Sequence, residues 1–167
     1  MRPLLTVVAV LAAAWLQVAA FGHLRPLGVM PNVMLVAVIL FSLWSDATPA
    51  LAVAVGGGLL LDLASGSDFG LRMAFYVVVA LAIIAGRQLG LHADLMITGA
   101  VAVVLGTLLY DGLILATLKA APNGLIMGRI GRELIDNLAL LTLAYLVRAN
   151  SHRPSQTNLE PVGRLRS

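Results

Sequence analysis

The sequence predicts an all-α integral membrane protein, a compact bundle of about six transmembrane helices. Hydrophobic residues make up 60% of the chain, mean hydropathy is +0.96, and only 11% of residues are charged, against about 25% in a typical soluble domain. The few charges punctuate long apolar runs. Those runs lack the two-residue alternation of a membrane barrel, so helices, which satisfy their own backbone, are the spanning element. One bundle over residues 1–148 leaves no room for a separate soluble domain.

The elements follow from the spacing of charges. From Pro3 to Leu24 there is no Asp, Glu, Lys or Arg, enough for one span of about 20 residues. Arg2, this stretch and Val18-Ala19-Ala20 also fit the three-part pattern of a secretory leader. The stretch is long for that purpose, which favours a retained first helix over 3–21. The second helix is expected at 29–45, with Pro31-Asn32 near its first turn, where a missing N–H costs least. Further runs predict helices over 48–64, 72–87, 94–118 and 132–148. The third, fourth and sixth are short for a full bilayer and must include flanking charges or lie partly within protein. Trp15 and Trp44 are candidates for interfacial anchors.

Alternate loops place Arg2, Arg87, Arg148, Arg153, Arg164 and Arg166 on one side, and Arg25, Arg72, Lys119, Arg129 and Arg132 on the other. That balance is nearly even, but the polar, arginine-bearing tail 149–167 is simplest to leave in the cytoplasm. Both termini are therefore expected inside. The tail lacks apolar periodicity and is expected to be disordered. The net charge of +3 resides in loops and tail, where it serves orientation or contact with anionic membrane lipid rather than nucleic acid. With no cysteine, thiolate chemistry is excluded.

The most informative segment is Gly56-Gly57-Gly58-Leu59-Leu60-Leu61-Asp62-Leu63-Ala64-Ser65-Gly66-Ser67-Asp68-Phe69-Gly70. An apolar run ends in an aspartate at membrane depth, and an unpartnered carboxylate there costs about 2.5–3.5 kcal/mol on insertion scales. Asp62, Asp111 and Asp136 thus divide two readings between them. They are proton or cation relays or a substrate site, or they are helix-end acceptors for backbone N–H groups and partners of Arg72, Arg129 or Arg132. Gly56, Gly57 and Gly58 remove side chains from nearly a full helical turn and allow close helix contact, with Gly66 and Gly70 in the turn that follows. Gly86/Gly90 and Gly124/Gly128 have small-xxx-small spacing.

The segment Gly128-Arg129-Ile130-Gly131-Arg132-Glu133-Leu134-Ile135-Asp136-Asn137 opens the last helix. Arg132 and Asp136 are four apart, as are Glu133 and Asn137, so each pair can meet on one face. Arg129, Arg132, Glu133 and Asp136 read either as a surface that docks another protein or as an interfacial helix start. Enzyme signals are thin. No zinc-protease pattern, nucleophile elbow, phosphate loop or dense aspartate motif of membrane phosphatidyl transferases occurs. The scattered His23, His92 and His152 do not suggest a metal, nor do Asp62 and Asp68. No cofactor is expected.

The order of these features resembles the rod shape-determining protein MreD family. Pro31-Asn32 before an apolar helix, the Gly56–Asp62 run with Leu63-Ala64-Ser65-Gly66, Phe69-Gly70-Leu71, and the basic start of the last helix carry the resemblance over residues 1–148. It implies a non-enzymatic, multi-pass inner-membrane subunit of the bacterial elongasome. It would bind MreC and help position lateral peptidoglycan synthesis for rod cell shape. RodA, a class B penicillin-binding protein and MreB are the further implied partners. MreD-like proteins are also similar in fold to the substrate-binding subunits of energy-coupling-factor transporters. The alternative expectation is therefore a vitamin-type transport subunit, which should show polar and aromatic residues converging on a pocket. At 5% aromatic residues and with polar residues at helix ends, the sequence favours the scaffold.

Overall fold

The computed structural model describes residues 3–20, 26–66, 70–90, 94–117 and 124–151. Among them are six α-helices and no strand: α1 (Pro3–Trp15), α2 (Val33–Trp44), α3 (Ala47–Ser65), α4 (Leu71–Gln88), α5 (Leu95–Thr117) and α6 (Gly124–Ser151). Three of them, α3, α4 and α5, are long and apolar enough to cross a membrane. Ser67, Asp68, Phe69, the three histidines and tail residues 152–167 lie outside the described residues.

The shortest helix is the hub. α2 packs against all five others, and its Met34, Leu35, Val38 and Ile39 are fully buried. A helix apolar all round belongs in an interior. At 12 residues, or about 18 Å at 1.5 Å per residue, it is too short to cross a bilayer alone. The bundle's outer faces are apolar in turn: Val78 is 64% exposed, Leu109 64% and Leu146 62%. Large apolar side chains exposed on α4, α5 and α6 are compatible with a lipid-facing exterior. The described residues are thus all helical, and three of the helices have the length and composition of membrane spans.

Contacts at the two ends show that successive helices alternate in direction. At the end holding the start of α1 and the close of α6, Arg87 Nη1 donates to the Ser42 and Ser45 carbonyls at 2.6 and 2.8 Å, a cation closing the C-terminus of α2. There too, the Arg148 guanidinium lies 4.5 Å from the Trp44 ring centre, and Trp44 packs edge-on against Tyr145 at 5.1 Å. The opposite end gathers the close of α1, α3 and α5 and the start of α2, α4 and α6.

Boundaries differ from expectation in three places. A wider π turn over Leu16–Ala20 follows α1. Helix α2 starts at Val33, not 29, because Leu27 and Gly28 adopt left-handed backbone (φ 49° and 77°) and Asn32 is the N-cap. Pro31 therefore precedes the cap. Helix α6 starts at Gly124, eight residues before the expected 132, and runs to Ser151. The arginines and Glu133 are good helix formers and each glycine costs only about 1 kcal/mol, so the charged segment continues the helix instead of opening it.

Candidate functional site: a polar end of the bundle

At the α3–α4 junction, glycines decide how near the two helices come. A Cβ on Gly58 would lie 2.8 Å from the Met73 backbone nitrogen, and one on Gly57 2.7 Å from Met34 Cε, whereas at Gly56 the nearest atom is Val10 Cγ1 at 3.7 Å. Only Gly58 therefore meets backbone, which cannot swing aside. The helix then ends at Gly66, in left-handed backbone at φ 63°, and α4 is entered through Gly70 at φ 92°.

That close approach delivers the Asp62 carboxylate to the first turn of α4. Oδ2 accepts from the Gly70 and Met73 amides at 3.0 and 3.1 Å, and Oδ1 from the Arg72 amide at 3.3 Å. These are donors of a helix N-terminus that would otherwise lack partners. An aspartate eight residues upstream of Gly70 takes the place of an N-cap side chain, with its charge at the positive end of the α4 dipole. The side chain of Arg72 turns away: Nη1 donates to the Leu61 carbonyl at 2.9 Å and Nε to the Tyr110 hydroxyl at 3.0 Å. Asp62, 2% exposed, is thus held by amides rather than by an arginine.

Beneath this turn a second polar network crosses the core. The Asn32 side chain caps α2, accepting from the Leu35 amide at 3.0 Å and from the Tyr76 hydroxyl at 2.8 Å. Its own amide donates to Asn137 Oδ1 at 2.7 Å, and Asn137 Nδ2 donates to Thr107 Oγ1 at 3.0 Å. Gln17, carried by the π turn, accepts from the Met34 amide at 2.8 Å. Asn137, Thr107 and Tyr76 are all 0% exposed. One residue pair, Asn32 and Asn137, thereby ties α2, α4, α5 and α6 together. From the sequence Asn32 reads only as a helix start, and Tyr76, Thr107 and Gln17 are not singled out. The signal was present as single polar residues inside apolar runs.

The α6 segment departs from both expected pairs. Arg132 is exposed while Asp136 is buried, its Oδ2 without a hydrogen-bond partner among the described residues, and the two do not join. Asn137 is engaged by Asn32 and Thr107, not Glu133. The four residues split: Arg129 and Arg132 lie on the open face, Glu133 and Asp136 point inward. Gly124 and Gly128, expected to pack a neighbouring helix, face space, and a Cβ added at either would meet nothing within 4 Å.

Between the α3–α4 turn and α6 lies a cleft of about 340 Å³, lined by Arg72, Tyr110, Asp111, Arg129 and Glu133 among others. Its apolar wall includes Val18, Met30, Leu61 and Ile114. Asp111 reaches it from α5 and keeps one buried oxygen, Oδ2, without a partner among the described residues. No group of His, Cys, Asp or Glu that could hold a metal occurs among the described residues. No protein-family model, curated protein or solved structure matches the chain.

Proposed function

We propose that the chain is a non-catalytic scaffold of the MreD type, a multi-pass protein of the bacterial inner membrane that binds MreC and helps position lateral peptidoglycan synthesis. The observation that carries this reading is the use made of the motif on which the resemblance rests. In the Gly56–Leu71 segment both Asp62 oxygens accept backbone amides, so this buried carboxylate builds a helix junction and is not offered to a substrate. The exposed Arg129 and Arg132 on α6 supply the polar docking surface, through which RodA, a class B penicillin-binding protein and MreB would be reached by way of MreC. Glu133 and Asp136, turned inward, are not part of it. Both termini are cytoplasmic in this reading, so reporter fusions at Ser151 and Gly66 should report opposite sides, inside and outside.

A second reading, a vitamin-type transport subunit, is favoured by one observation: polar side chains from α4, α5 and α6 do converge on a cleft. Purification in mild detergent separates the two. MreC should co-elute, and depletion should give rounded cells. A co-purifying vitamin, with normal rods and vitamin auxotrophy on depletion, would replace the scaffold by the transporter.

A further inference from the structure

The cleft beside the α3–α4 turn holds charges that do not cancel one another by contact. Asp111 Oδ2 is buried and unpartnered among the described residues. Glu133 is 5% exposed, and Arg129, one helical turn earlier on α6, is exposed. Glu133 and the Asp111 Oδ2 atom are therefore buried and Arg129 is exposed, with half-buried Arg72 also lining the cleft, braced against the Tyr110 hydroxyl. Asp136, buried on the same helix, is close enough to Glu133 to act on it as a like charge.

This arrangement selects against single-sign ligands. A purely anionic group meets Asp111 and Glu133, and a simple cation must pass Arg129 and Arg72. A molecule with positive charge leading and negative charge following satisfies both layers, and mismatched charges would be left facing like ones. Guanidiniums match phosphate oxygens in fork geometry. A primary ammonium brings three N–H donors to two carboxylates. The volume lies near the lower end of the range for ligand pockets, roughly 300–1,000 Å³, suited to a headgroup and not to a whole lipid.

We propose that this cleft binds a zwitterionic phosphoethanolamine group, its ammonium between Asp111 and Glu133 and its phosphodiester at Arg129 and Arg72. The membrane lipid phosphatidylethanolamine and the free headgroup share that chemistry. In the lipid the ammonium is the distal end, so it enters first and leaves the acyl chains outside. The site stands whether or not the chain is an elongasome scaffold, since its test involves no MreC.

The test uses the full chain in nanodiscs of equal parts phosphatidylethanolamine, phosphatidylglycerol and phosphatidylcholine, with retained lipids read by native mass spectrometry. Phosphatidylethanolamine should be enriched over each of the others by about tenfold, the equivalent of one charge-assisted hydrogen bond. Phosphatidylcholine has the same charges without N–H donors and so isolates the ammonium contacts. The Asp111→Asn, Glu133→Gln double variant should lose that enrichment and shift toward phosphatidylglycerol, a reversal that mere loosening of the fold would not give. Excess glycerophosphoethanolamine names the source: displacement of the lipid means the headgroup suffices, and persistence means the lipid form is bound. Retained lipids that mirror the nanodisc composition in the wild-type chain would overturn the proposal even if the variants failed to fold. An unchanged preference in a folded double variant would overturn it too.

Discussion

Asp62 and Glu133 are carboxylates at the same end of the bundle, 2% and 5% exposed, yet their surroundings are opposite. Three backbone amides converge on Asp62, all from the first turn of a helix that needs an acceptor there. Glu133 shares a cleft with Asp111, a like charge, and with an exposed arginine. Burial alone therefore does not tell a structural charge from an available one. What separates them is whether the fold supplies donors in fixed positions. Backbone amides at a helix start are such donors, because the helix holds them in place before the carboxylate arrives.

The comparison breaks most readily at Asp62. Asp62→Leu deletes the acceptor and leaves three amides of α4 without partners. The expected loss is about 3–5 kcal/mol, the range for removing one side of a buried charged contact, seen as a collapse of membrane abundance and of the thermal melting midpoint in detergent. Asp62→Asn keeps one acceptor oxygen and should lose roughly half as much. Next in size is Gly58→Ala, which pushes a methyl into the Met73 backbone and should cost about 1–3 kcal/mol by overpacking. Gly57→Ala meets only the flexible end of Met34 and should cost less, and Gly56→Ala should be nearly neutral. Equal effects at all three would mean that the α3–α4 approach is not set by Gly58.

Much of this hairpin is legible in the sequence. A glycine run, an aspartate at the end of an apolar stretch and a small-residue turn predict both the close contact and an acceptor for turn amides, because each feature is local. The donor set is only partly so: turn amides and Arg72 are both candidate partners, and the hydrogen bond from Arg72 to Asp62 comes from its backbone N–H while its guanidinium bonds elsewhere. The cleft and the Asn32–Asn137 network are not legible. They join residues 105 positions apart in the chain, and a lone Asn or Thr in an apolar run gives no sign of its partner. The inward turn of Glu133 and Asp136 escapes for a related reason. The i,i+4 rule locates neighbours on one helix but not the side from which other helices approach.

The buried network should respond between these extremes. Asn137→Leu leaves the Asn32 amide and the Thr107 hydroxyl without their partner, at about 1–3 kcal/mol for each buried group left unsatisfied. Tyr76→Phe removes one neutral hydrogen bond and leaves Asn32 Oδ1 still held by the Leu35 amide, so about 1 kcal/mol is expected. Thermal melting in detergent should rank Asn137→Leu well above Tyr76→Phe. The reverse order would place the network's weight on α4 rather than on α6.

The smallest effect is expected at Glu133, and it is the sharpest test of the contrast with Asp62. Glu133→Gln preserves shape and hydrogen-bonding capacity while removing a charge that sits beside Asp111 and Asp136. Among the described residues no backbone amide is bonded to it, so no donor is orphaned. Relief of the cost of burying the charge, the largest influence, and of like-charge repulsion opposes the loss of attraction to Arg129, and at an exposed arginine that attraction is worth about 0–1 kcal/mol. Stability should therefore stay level or rise slightly, whereas the equivalent Asp62→Asn change lowers it by more than 1 kcal/mol in the same assay, at the charged-bond scale of about 1.5–3 kcal/mol. The two substitutions have the same chemistry and nearly the same burial, so any difference between them comes from the donors each carboxylate meets. If Glu133→Gln destabilised the bundle as much as Asp62→Asn, Glu133 would be a structural acceptor, and the cleft would lose its claim to unused charge.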